Sequence, residues 1–341
     1  MKRVLATVSF VLVLVIAAGG PVFAQSDEIA GLEVFSSGFE SFSEEFTKSL
    51  PMNSAIGLNW SDAYVGQLLP IPSLGVGVTA GVTTIPSAAF DDLISDLGVE
   101  VSGGISDLSA VGLALPGYAF DARVGGLVLP FDVGLKFGTI GQIDLGDVEA
   151  EYTNFGVDLR YAVLDGGVLP KLSIGVGYNR LSGRVATPFG PSTTRVASVS
   201  DGSTTYDLLL SDPQLEMEWT ANVFDVKAQL SKSFLIVEPH IGLAASFGSA
   251  ETTSGLNADV VVVDDGTTNP AAGVTAADIE DAFGVGVTET GLGLDTDATT
   301  FAVRAFGGAS LNLTVFRLDL GVMYNLTSGA MGGTLGARFQ I

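Results

Sequence analysis

Apolar and polar residues alternate along most of this chain. Leu74, Val76, Val78, Ala80 and Val82 alternate with Gly75, Gly77, Thr79, Gly81 and Thr83. A period of two puts the two sets on opposite faces of a β-strand. The same period runs through Tyr118–Val124, Phe131–Phe137, Phe155–Val163, Leu172–Tyr178, Leu215–Leu230, Ile241–Phe247, Phe301–Ala305, Phe316–Tyr324 and Leu335–Ile341, ten segments in all. Two places break it. Thr139 and Ile140 interrupt the third segment, which predicts an end or a bulge near Gly138. Inside the sixth, Leu215, Met217, Trp219 and Ala221 are out of step with Val226, Ala228 and Leu230, and a β-bulge near Val223–Phe224 is expected to restore one apolar face.

The polar faces carry charges of both signs. Asp121, Arg123, Asp132, Lys136, Asp158, Arg160, Asp225, Lys227, His240, Arg304, Arg317, Asp319 and Arg338 all fall opposite aliphatic or aromatic residues. A soluble β-sandwich also alternates, but its connections need not sort by length. Here short connections (near 125–130, 164–170, 231–233 and 312–313) alternate with long ones (near 86–115, 142–150, 183–213 and 248–297), until a brief last one near 327–330. Short turns on one side and long loops on the other predict an antiparallel barrel closed in a membrane, lipid outside and a charged lumen inside. Ser54–Trp60, and either Val101–Leu115 or Thr204–Leu210, are candidate further strands, giving an expected count of about 12 within a range of 10–14. The last strand should end on the periplasmic side.

The first 72 residues read differently. Lys2 and Arg3 precede an apolar run from Val4 to Ala18, and Val22-Phe23-Ala24 offers a cleavage site, so residues 1–24 are expected to be a secretory signal peptide. Together with a barrel, that predicts the bacterial outer membrane, with its lipid and its barrel-assembly machinery as partners. Residues 25–53 are read as a helical segment and 54–341 as the barrel. Phe35, Phe39, Phe42, Phe46 and Leu50 form one helical stripe over 32–50. Ser37 with Glu40 suggests a capping box and Pro51 a stop. The helix must pack on something: the periplasmic rim, or the lumen as a plug, for which glycines such as Gly75, Gly77, Gly134 and Gly177 leave room.

Charge and composition narrow the chemistry. Without Lys2 and Arg3, 13 basic residues face 38 acidic ones, a net charge of −25. Such a chain repels nucleic acid, whose binding needs Lys and Arg on phosphates. With no Cys there are no disulfides and no thiolate metal sites. No cofactor or metal site is expected, and no catalysis: His240 near Glu238 is the one acid–base pair, and no Gly-x-Ser-x-Gly elbow exists. Residues 248–297 read as a strongly acidic loop, with no Lys or Arg between Lys232 and Arg304 and a short helix expected over Thr275–Phe283.

A signal peptide, a Phe-rich N-terminal helix and a barrel of this size resemble the FadL-like outer-membrane transporters. That family takes up long-chain fatty acids and aromatic hydrocarbons past an N-terminal hatch. The resemblance is architectural. The family's Asn-Pro-Ala is absent, its nearest string being Asn53-Ser54-Ala55, and Ile341 ends the chain where a terminal Phe is usual. The resemblance implies passive uptake of a small hydrophobic ligand. A closed barrel with a structural or surface-interaction role is the alternative, and a general hydrophilic porin the third.

Overall fold

The computed structural model describes residues 28–66, 73–85, 113–126, 130–144, 148–165, 167–188, 192–200, 205–264, 287–288 and 291–341. Residues 1–24, expected to be a signal peptide, and the Thr275–Phe283 stretch lie outside them. The helix α1 (Glu28–Ser54) comes first. The strands follow as β1 (Ser73–Ile85), β2 (Leu113–Gly125), β3 (Phe131–Asp144), β4 (Glu149–Asp165), β5 (Lys171–Pro188), β6 (Thr193–Ser200), β7 (Thr205–Ser231), β8 (Val237–Asp264), β9 (Val287–Thr288), β10 (Gly291–Leu313), β11 (Phe316–Asn325) and β12 (Met331–Gln340). Each barrel strand pairs antiparallel with its neighbours. The ring closes where β12 meets β1, from Gly75 opposite Gln340 to Thr83 opposite Gly332.

Among the described residues the ring has ten strands, not about twelve, because β6 pairs only with β7 and β9 only with β10. The candidate strand Ser54–Trp60 is instead the end of α1 and an irregular segment inside the barrel. Leu113–Leu115 and Thr205–Leu210 lengthen β2 and β7 rather than adding strands.

The burial pattern is that of a protein inside out. Ile241 is 64% exposed and Arg160 0%. Outward side chains such as Leu320, Leu335, Phe120 and Phe224 form an apolar belt, and lumen charges are buried. A ring without edges, wrapped in such a belt, spans a membrane.

The two expected parity breaks resolve differently. β3 keeps its parity past Gly138, with Thr139 exposed, and its irregularity falls between Ile140 and Ile143. In β7 there is no bulge near Val223: the register against β5 is continuous from Ser231 to Gln214. Leu215, Met217, Trp219, Ala221 and Val223 point inward, in line with Asp225 and Lys227. The environment reverses, not the backbone. Above the lipid the outer face meets water and takes Glu216 and Glu218, while the inner face meets α1. Alternation separates two faces but does not say which one is wet.

α1 is longer than its Phe stripe, so Ser37 and Glu40 lie within it, and Pro51 falls in its last turns. The acidic stretch 248–297 is in large part strand. Glu251 and Asp259 lie on β8, Asp295 and Asp297 on β10, in a sheet that continues beyond the belt.

Candidate functional site

The segment Ala55–Gly66 runs along the lumen from α1 towards the short turns at the other end of the barrel. Small residues on the wall make room for it. A side chain at Gly75 would stand 2.5 Å from the Trp60 ring, and one at Gly117 would stand 2.7 Å from Ile56. The sequence-derived lumen residues hold this segment. Trp60 donates to Asp121 (3.0 Å) and lies beneath Arg338, 4.5 Å from ring centroid to guanidinium. Arg160 donates to the Asp62 carbonyl (2.7 Å), and Lys136 to the carbonyls of Ser54 and Ile56. Gln229, on the same polar face but uncharged and not among the candidates, donates to the Trp60 carbonyl at 2.6 Å.

Two charge clusters finish the seal. Asp132 bridges Arg123 and Arg160 (2.7 Å to the latter) and accepts from the Val65 amide (2.8 Å). Asp158 joins Arg123 (2.7 Å) to Lys227 (2.5 Å). Lower down, Asp62 of the lumen segment takes Arg317 (2.6 Å), Arg338 (2.8 Å) and Lys171 (3.3 Å). Asp319 pairs with Arg338 at 2.8 Å. Asp225 accepts from Asn179 (2.7 Å) and Ser246 (2.5 Å) and faces Arg304 at 3.8 Å. His240 packs 6.4 Å from Phe306, while Glu238 is engaged by Ser231, Arg317 and Asn312 instead. Charges this buried persist only when paired, and losing one partner costs about 3–5 kcal/mol. Each of these carboxylates has a cationic or hydrogen-bonding partner, and together these contacts hold Ala55–Val65 across the lumen.

Of the Phe stripe, Phe42 and Phe46 are buried, and Phe46 meets Trp219 edge-on with centroids 5.2 Å apart. The side chains of Phe35 and Phe39 lie outside the described residues. Thr47 and Ser43 reach Thr252 (2.7 Å) and Ser254 (2.8 Å) on β8. α1 therefore fills the outer half of the interior, and the seal itself lies in Ala55–Val65, beyond the predicted helix.

The wall is not uniform. β2 and β3 share only six residue pairs, from Gly125 opposite Asp132 to Phe120 opposite Phe137. Above them β2 stays paired with β1 up to Leu113, and β3 with β4 up to Asp144. Leu113–Ala119 and Gly138–Asp144 thus face each other without a ladder. Pro116, which has no amide proton to give, suits such a margin. Side chains close the seam where backbone does not. The Tyr118 hydroxyl donates to the Thr139 carbonyl, and its ring stacks on Tyr152 of β4 at 5.8 Å. Asn53 of α1 donates to the carbonyls of Leu115 (3.0 Å) and Pro116 (3.4 Å) and to Thr83 (3.0 Å).

A cavity of about 500 Å³ lies at this seam. It is lined by inward residues such as Leu115, Val148 and Trp219 and by belt residues such as Ala80, Val82 and Leu335, so it joins the interior to the lipid-facing surface. Glu151 is the one ionisable carboxyl among its lining residues, and no Lys, Arg or His lines it. Beyond the belt on the same side, Arg184 binds Glu216 and Glu149, and its hydrogen bond holds the Glu216 carboxyl below its usual pKa.

No family model and no curated protein matches the chain. Among solved structures it is similar to the translocator domain of the autotransporter NalP from Neisseria meningitidis, at 10% identity and a TM-score of 0.32, over 89% of this chain and 96% of that one. A major outer membrane protein from Thermus thermophilus gives 11% and 0.29, over 80% and 100%. The toluene transporter TbuX of Ralstonia pickettii gives 9% and 0.23, over 86% and 92%. Their names speak of different tasks.

Proposed function

We propose that this barrel of the bacterial outer membrane passes small, neutral, hydrophobic molecules sideways into the bilayer through the cavity at the β2–β3 seam. The observation that carries this reading is the seam between β2 and β3, with an apolar cavity reaching both interior and belt. The route to the periplasm is stopped by Ala55–Val65 and its ion pairs, so a molecule entering from outside has the seam as its exit. A greasy molecule leaving there moves from apolar protein to acyl chain without crossing water, which keeps its hydrophobic transfer free energy throughout. The lining favours uncharged cargo. A carboxylate would be desolvated beside Glu151 with no cation to pair with.

Binding to detergent-purified protein tests this. N-phenyl-1-naphthylamine, a neutral fluorophore, should brighten and saturate at one site, and a fatty-acid fluorophore should bind at least tenfold more weakly. Ala150→Trp fills the cavity and should abolish the signal while the barrel keeps its heat-resistant folded band on a gel. Equal binding by wild type and Ala150→Trp would leave the sealed lumen as the dominant feature and favour the structural barrel.

A further inference from the structure

The periplasmic turns after β4 and β7 are unusually apolar. Val168 is 96% exposed and Leu235 101%, with Leu169, Phe234 and Ile236 beside them also exposed. The second turn is built against residue preference. Phe234 and Val237 exchange both backbone hydrogen bonds (2.7 and 2.9 Å), which makes Leu235-Ile236 a two-residue hairpin loop. Leu235 has φ +52°, a left-handed conformation that such loops normally give to Gly or Asn. From that turn Leu235 projects an apolar side chain off the end of the barrel.

The two turns are tied into one platform. Lys232 Nζ donates to the carbonyls of Gly167 (2.8 Å), Val168 (2.7 Å) and Leu169 (3.2 Å). Backbone carbonyls are the partners an ammonium needs at a lipid boundary, where water is scarce.

The belt is short on this side. On β5 the outward apolar run goes from Leu172 to Tyr178, and on β7 from Phe224 to Leu230; Arg180 and Asn222 follow, hydrogen-bonded to each other at 3.1 Å. Six residue steps at about 3.4 Å, tilted by about 40°, cover about 16 Å along the membrane normal, against the roughly 25 Å that a barrel belt presents to lipid. Continuing each run to Val168 or Leu235 brings it to about 25 Å.

We infer that these two turns are the lower edge of the lipid belt, inserted among the acyl chains of the periplasmic leaflet, rather than aqueous loops. The leaflet supplies the apolar contact that Val168 and Leu235 lack, and the platform sets how deep the barrel sits beneath the seam.

The absence of native Cys allows a direct test. Leu235→Cys, Val168→Cys and, on an outer loop, Thr327→Cys are each labelled with a nitroxide in phosphatidylcholine liposomes. Accessibility to oxygen, which concentrates in lipid, is compared with accessibility to a water-soluble nickel chelate. The oxygen-to-nickel ratio at 168 and 235 should exceed that at 327 by at least fivefold. Ratios equal to that at 327 would place the turns in water and overturn the inference. Should a labelled variant fail to fold, Leu235→Trp gives the same reading: quenching by brominated acyl chains supports insertion, and quenching by iodide alone rules it out. Native Trp60 and Trp219 are buried in the interior and give a constant background.

Discussion

Tyr118 on β2 stacks on Tyr152 of β4, ring centroids 5.8 Å apart, although β3 lies between these strands in the ring. The contact exists because β3 leaves β2 above Phe137, and an inward Tyr152 comes within reach of the opened margin. On the proposed route the tyrosine pair is the door of the seam. Tyr152→Phe keeps the stack and should behave as wild type. Tyr152→Ala should speed the transfer of N-phenyl-1-naphthylamine from protein to liposome severalfold, at a packing cost of about 3–5 kcal/mol. Stopped-flow fluorescence measures the rate, and a rate unchanged in a folded Tyr152→Ala protein would remove the seam as the exit.

The belt makes a second prediction. Leu320 is 62% exposed on the lipid face, whereas Asp319 points inward to Arg338 and Ser61. Leu320→Arg should cost about 2–4 kcal/mol of barrel stability. Asp319→Asn should leave membrane insertion intact, since Arg338 retains Asp62. Urea unfolding in liposomes separates the two, and equal midpoints would mean that the face assignment is wrong.

Ion conduction reports on the seal. Deleting 32–50 removes Phe42, Phe46 and most of α1 but none of Ala55–Val65, so single-channel conductance in planar bilayers should remain at the closed level. Deleting 28–66 frees the charged lumen to fill with water, and conductance should then rise. A large conductance after the first deletion alone would move the seal from Asp62 and Trp60 to the helix.

Orientation can be read on intact cells. External protease should cut in 190–204 and 265–290 and spare Ser231–Ser233 at the turn between β7 and β8. Cleavage at the turn alone would invert the barrel.

Period two along the chain was enough to mark ten extended segments and to divide each into two faces, because lipid and a polar lumen impose opposite demands on successive residues. The Phe spacing likewise announced a helix. Tertiary structure decided the rest. Whether α1 would sit on the rim or in the lumen depends on room left by glycines on several distant strands. The ten-strand ring depends on which extended segments find two partners, and β6 and β9 find one. The inward turn of Leu215–Val223 was hidden because an apolar face is equally suited to lipid or to a packed interior. The seam was hidden for a different reason: a missing ladder is a relation between two strands, and neither β2 nor β3 carries its partner's absence in its own residues, apart from the hint in Pro116.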